Sequence, residues 1–206
     1  MIWGSWCMES EWKKFKIGEL GKVITGKTPS TKKPENFNGP YPFIRIPDMG
    51  SSVYISKTER TLSNLGAEIM NSCVLPKDSV MMSCIATVGK CGITSQKSFT
   101  NQQINSVICD KKKVFPRFLY YVFTQLGNEL HAAGGGGSVY TNVSKSRFSN
   151  IEIKIPDLQE QRKIAHILGS LDDKIELNRE MNETLEGIAR GIFKSWFIDF
   201  DPVIDN

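Results

Sequence analysis

Apolar positions follow two different patterns along the chain. Between residues 11 and 155 they form short clusters separated by Gly, Pro, Ser and Lys, the texture of a folded mixture of strands and short helices. Phe15–Ile24 reads as a strand or a helix–strand pair, Pro42–Pro47 (PFIRIP) as a short strand, and Val80–Val88 and Gln103–Cys109 as apolar β runs. Ile151–Ile155 alternates as a last strand, closed by Pro156. Thr61–Met70 fits a short helix capped by Ser63 or Asn64. Pro116–Ala133 fits a longer one, with Pro116 at its first position and glycines at its stop. Lys27–Tyr41, rich in Pro, Thr, Lys and Gly, and the Gly134–Ser138 stretch read as loops. The class this implies is α+β: a globular mixed α/β domain over 11–155, a long C-terminal coiled-coil helix over 156–198, a leader at 1–10 and a short tail at 199–206.

The second pattern defines that helix. Ile164, Leu168, Leu171, Ile175, Leu185, Ala189, Ile192 and Trp196 are spaced by steps of four and three, and Asn178 and Asn182 occupy the two remaining core positions. The result is one heptad seam from Ile164 to Trp196, about 50 Å long at 1.5 Å per residue. A helix of that length needs a partner helix. Two Asn in the seam cost stability but fix register, and Gly187 and Gly191 weaken the last turns.

Charge divides at the same place. Residues 1–155 carry 20 Lys and Arg against 11 Asp and Glu, whereas residues 156–206 carry 6 against 11. A basic body on an acidic helix suits a polyanion for the one and protein for the other. No apolar run approaches the ~18 residues of a membrane span, and residues 1–10 have no signal-peptide pattern. The five cysteines are irregularly spaced with no CxxC, which fits thiols in a reducing cytoplasm, and His131 and His166 have no metal-ligand spacing.

One segment matches a catalytic motif. Gly21–Thr28 spells the phosphate-loop pattern GxxxxGK[ST]. That loop works only when a helix follows it, with N–H groups pointing at the phosphates. Here Pro29 fits a helix's first turn, but Pro34 and Gly39 leave no apolar periodicity to support one. No nuclease, methyltransferase or base-flipping signature is complete, so the chain reads as non-catalytic. What remains is a series of polar and basic loops: Lys27, Thr28, Ser30, Lys32 and Lys33; Arg45; Lys90; Asn101 and Gln102; and Ser138, Tyr140 and Lys145. Lys and Arg neutralise phosphates, and Asn, Gln and Arg pair with base edges. Each group also has a structural reading: a turn amide for Asn101, a salt bridge for Arg45.

The run from Ile155 to Ile175, IPDLQEQRKIAHILGSLDDKI, resembles the stretch that opens the long spacer helices of type I restriction–modification specificity subunits. Trp12, the Ile17-Gly-Glu-Leu-Gly opening, Gly26–Pro29, Val88-Gly89, Asn101-Gln102 and Phe118–Tyr121 follow in the family's order. Asp157 stands where a second Pro is more usual. The resemblance implies a target-recognition domain that reads a few base pairs of double-stranded DNA, attached to a spacer helix that pairs antiparallel with a second one. It implies methyltransferase and restriction subunits as partners, a homodimer of this half-length form, and S-adenosylmethionine, ATP and Mg2+ bound by those partners, with no cofactor on this chain. Two other readings stay open on the residues alone: a helical adaptor whose basic body is incidental, and an enzyme using the Gly21–Thr28 loop.

Overall fold

A computed structural model describes residues 12–85, 87–133 and 142–200. The chain divides between Ala165 and His166 into a compact body and a helical unit.

The body is built on a sheet with side chains buried on both faces. Its strands are β1 (Lys13–Lys16), β2 (Gly21–Thr25), β3 (Phe37–Ile44), β4 (Tyr54–Ile55), β5 (Thr61–Leu62), β6 (Val80–Ser83), β7 (Cys91–Thr94), β8 (Phe99–Thr100), β9 (Ile104–Cys109) and β10 (Glu152–Ile155). The helices are α1 (Asn64–Ile69), α2 (Pro116–Ala133), α3 (Lys145–Asn150) and α4 (Leu158–Lys194). The central sheet has the order β2-β9-β6-β7-β4. Val23, Val80, Met82, Ile93 and Val107 face one core with Phe118, Leu119 and Phe123 of α2. Ile24, Met81 and Ile104 face a second core with Phe43, Ile44 and Leu62. Burial on both sides explains why these strands are continuous apolar runs rather than alternating ones.

Several expectations need correction. The segment 37–41, read as loop, begins β3, because Asn38 adopts a left-handed φ of 61° and a register shift between Phe37 and Tyr41 lets Pro40 sit in the strand. Lys145, read as part of a polar loop, is instead the first residue of α3, whose cap Ser144 accepts the Arg147 N–H at 3.2 Å. Val80–Val88 and Pro42–Pro47, read as strands, are strand only as far as Ser83 and Ile44, and Thr61–Leu62, read as the start of a helix, forms β5. Ser63 caps α1 by accepting the Gly66 N–H at 3.1 Å, and α2 begins at Pro116 as its sequence sets.

The body closes on itself before α4 begins. β1 pairs antiparallel with β10, Lys13 opposite Ile155. Gln161, in the second turn of α4, is 1% exposed. Its amide donates to the carbonyls of Lys113 (3.1 Å) and Pro156 (2.9 Å) and accepts the Phe115 N–H (2.8 Å). One side chain thereby satisfies three buried backbone groups where the helix meets the body.

Four thiols, Cys73, Cys84, Cys91 and Cys109, lie in or against these cores. Burial pushes Cys84 up to about 11 and Cys91 and Cys109 up to about 12, so they stay protonated and unreactive near neutrality.

The helical unit is the rest of α4, which as a whole has 37 residues and runs about 56 Å, followed by a wider π-type turn over Ser195–Asp199. It leaves Leu168, Leu171, Ile175, Leu185, Ile192 and Trp196 exposed within the single chain, as are Asn178, Asn182 and Ala189. Ile164, the first seam residue, packs instead against the body core. No helix among the described residues is long and apolar enough to cross a membrane.

Candidate nucleic-acid interface

Four separate stretches of polar sequence meet at one end of the central sheet. In the antiparallel register of β2, β9 and β6, Thr25 lies opposite Asn105 and Ser83 opposite Ile104. The exit of β2, the turn before β9 and the loop after β6 therefore share an edge. Backbone bonds lock them: Lys27 N–H to Thr100 (3.0 Å), Cys84 N–H to Gln103 (2.8 Å) and Val143 N–H to Cys84 (2.8 Å).

Gly26 is required there. A Cβ at this position would lie 2.2 Å from the carbonyl oxygens of both Thr100 and Asn101, so only glycine lets the β2 exit lie flat against the 101–103 turn. The Gly26-Lys27-Thr28 match to a phosphate loop has this structural cause. No helix follows it: residues 26–33 are coil and turn, and only a single 3-10 turn forms at Pro34–Asn36.

Each candidate side chain now has a place. Thr28 donates its hydroxyl to the Gln102 side-chain oxygen at 2.7 Å, which orients the exposed Gln102. Asn101 is 8% exposed. Its amide donates to Gln103 Oε1 (2.8 Å) and its oxygen accepts the Gln103 N–H (3.2 Å), so it holds the turn and presents nothing outward. Lys27 is exposed and Lys90 half-buried. Lys90 closes the 83–90 loop through its N–H on Ser83 Oγ at 2.9 Å, and Ser83 also donates to the Thr87 carbonyl. Arg45 lies next to the turn, since Asn101 N–H bonds the Ile44 carbonyl at 3.3 Å, but its guanidinium pairs with Glu59. Lys145 is exposed on α3, two residues past Val143.

Ser30, Lys32 and Lys33 form a separate corner. Ser30 is tied to Asn36 (3.1 Å), and that segment is tied in turn to Ser63 at the α1 cap, not to the 101–103 turn. Ser138 and Tyr140 lie outside the described residues. Two residues that organise the edge carry no sequence signal of their own. Thr25 donates to Asn105 Oδ1 at 2.6 Å. Asn105, 3% exposed, donates to the Val143 carbonyl at 3.1 Å.

The edge is thus a set of short polar loops carried by a sheet that is packed on both faces. Residues 9–187 match the family described as "Type I restriction modification DNA specificity domain". The chain belongs to this family. Among similar curated specificity-domain proteins is the type I restriction enzyme MjaIX specificity subunit of Methanocaldococcus jannaschii, 35% identical over 195 residues, which cover 93% of this chain and 45% of the relative. The HindI specificity subunit of Haemophilus influenzae is 38% identical over 179 residues, covering 84% of this chain and 39% of the relative. Solved structures agree on the fold. The HsdS subunit from Thermoanaerobacter tengcongensis aligns with a TM-score of 0.62 at 18% identity, over 95% of this chain and 47% of that one. The S subunit of M. genitalium aligns with a TM-score of 0.68 at 16% identity, over 92% of this chain and 46% of that one. The specificity-domain chain described here thus spans about half the length of the relatives it matches.

Proposed function

We propose that this chain reads one half of a two-part DNA site with the loop edge built from residues 25–28, 83–90, 101–103 and 142–145, and that two copies pair through α4. The convergence of those four stretches on one end of the sheet carries the reading. Lys27, Lys90 and Lys145 supply phosphate contacts, and Gln102, aimed by Thr28, supplies a base-edge amide. The chain is non-catalytic and cytoplasmic. Methyltransferase and restriction subunits are its partners, and S-adenosylmethionine, ATP and Mg2+ act on them.

The seam favours a second copy in antiparallel orientation, because it is symmetric about Glu180. Turned end for end, Leu168 faces Ile192, Leu171 faces Ala189, and Ile175 faces Leu185. Asn178 then faces Asn182, so the two polar positions satisfy each other and penalise other registers. A second exposed stripe, Ile167, Leu177, Met181 and Ile188, stays open in such a pair and suits a methyltransferase subunit.

Lys27→Ala with Lys90→Ala tests the edge. Released counterions scale with neutralised phosphates. The double variant is expected to bind a mixed-sequence duplex more weakly and to reduce the slope of log affinity against log salt by about 2. An unchanged slope, measured by fluorescence anisotropy, removes phosphates from this edge.

A further inference from the structure

We infer that Arg45 is a base-reading arginine of the loop edge, offered to the O6 and N7 acceptors of a guanine, and that Glu59 is the residue that positions its guanidinium. This contact rests on the DNA-reading edge proposed above and adds one specificity contact to it.

The segment after β3 touches that edge at both ends. At its start, the Asn101 N–H bonds the Ile44 carbonyl at 3.3 Å, so Arg45 emerges beside the 101–103 turn. At its end, a Cβ added to Gly50 would lie 3.9 Å from Lys90 Cδ, so the segment reaches the 83–90 loop. Residues 45–50 are thus a fifth stretch of the same edge.

The pairing of Arg45 with Glu59 is built from the main chain. Asp48 closes the 3-10 turn Ile46–Asp48. One of its carboxylate oxygens accepts the Arg45 N–H at 2.8 Å, and the other accepts the Glu59 N–H at 2.9 Å. Close by, the Phe43 N–H bonds the Arg60 carbonyl at 3.1 Å. One carboxylate therefore fixes the backbone of both residues, and Glu59 Oε2 then receives Arg45 Nη2.

The guanidinium is held loosely in this pose. The Glu59 side chain is 71% exposed, and an ion pair to so open a carboxylate is weak in water. Arg45 Nε is buried and meets no acceptor among the described residues. The resting pose leaves that donor unmet, so a move to an outside acceptor forfeits little.

Local charge selects the acceptor. Asp48 and Glu59 set two carboxylates beside one guanidinium. They repel a phosphate and spare Arg45 from the backbone contacts assigned to Lys27 and Lys90. A guanine edge is uncharged and presents two acceptors that match the guanidinium fork.

The test uses the full chain, a duplex that it selects from a randomised pool, and the set of duplexes carrying each single base-pair change. Arg45→Ala is expected to bind the selected duplex roughly 10- to 100-fold more weakly and to become indifferent to one G·C position, with every other preference kept. Arg45→Lys is expected to lose part of the same discrimination at that position alone. Glu59→Gln keeps an acceptor but removes the charge. It is expected to bind a mixed-sequence duplex more tightly, with the slope of log affinity against log salt steeper by about 1, because the released guanidinium reaches a phosphate. A merely structural Glu59 would change stability and leave that slope alone. The two milder variants decide the matter should Arg45→Ala unfold. Weakening by the same factor on every duplex would make Arg45 a phosphate contact and overturn the inference. Base preferences unchanged at every position would remove Arg45 from the DNA. Both results leave the loop edge standing. An unmodified chain that enriches no sequence rejects the edge and this contact together.

Discussion

Ile175→Glu combined with Leu185→Glu is expected to leave the protein monomeric and to lower its affinity for a duplex with two inverted half-sites by roughly 10²- to 10⁴-fold. In the antiparallel register the two residues face each other across the centre of the pair, beside the Asn178–Asn182 contact. Both are exposed in the single chain, at 47% and 56%, so their replacement leaves the body intact. In the pair, four apolar side chains are lost, each contributing about 1.5–3 kcal/mol when fully buried, and four carboxylates gather in their place. Binding to a duplex with one half-site should be unchanged, because the loop edge lies in the body. The loss on the two-site duplex is the loss of linkage between two bodies, not of any DNA contact. Sedimentation velocity and parallel titrations of the two duplexes check both parts. A variant that still sediments as a dimer places the pairing surface elsewhere.

Gly89→Val should destabilise the body by about 2–5 kcal/mol and weaken DNA binding as well. Gly89 sits in the 83–90 loop with φ of 98°, a conformation that β-branched residues avoid. A Cβ there would lie 2.7 Å from Gly127 Cα and 2.9 Å from the Gly127 carbonyl oxygen. That is main chain of α2, which cannot swing aside. The loop is held flat on α2 by this glycine pair, and its retreat would pull Ser83, Lys90 and the Cys84 backbone from the edge. Gly50→Ala is the control. Its φ is 99°, yet its added Cβ meets nothing nearer than Lys90 Cδ at 3.9 Å, so backbone strain alone, about 1–2 kcal/mol, is expected. Urea unfolding of both variants separates strain from collision. Equal losses would mean that the contact with Gly127 does not hold the loop.

The parts of the fold written locally were legible. Pro116 opens α2, Ser63 caps α1, and the 4-3-4 spacing marks α4, because caps and periodicity act within a few residues. β7, Cys91–Thr94, was missed because Cys-Gly-Ile-Thr is buried on both faces and shows no alternation. The polar six-residue α3 owes its place to Phe148, which packs edge-on against Phe123 at 5.5 Å, a contact no local pattern encodes. The site was legible as a set of loops but not as an assembly. Gln102 and Asn101 are neighbours of similar chemistry, and only the fold turns one outward and spends the other on Gln103. Lys27 and Lys32 belong to one basic stretch, yet the bond to Thr100 and the tether to Asn36 send them to different corners. Gln161 lies within the run that carries the family resemblance, and its three backbone bonds show its mechanical work.

Selection from randomised duplexes, with the full chain at near-physiological salt, tests the central claim most directly. The expected product is a short sequence recovered twice in inverted orientation across a spacer of fixed length, the signature of two identical reading edges held apart by paired α4 helices. Recovery of no enriched sequence would contradict the account, leaving a basic body that meets DNA without reading it.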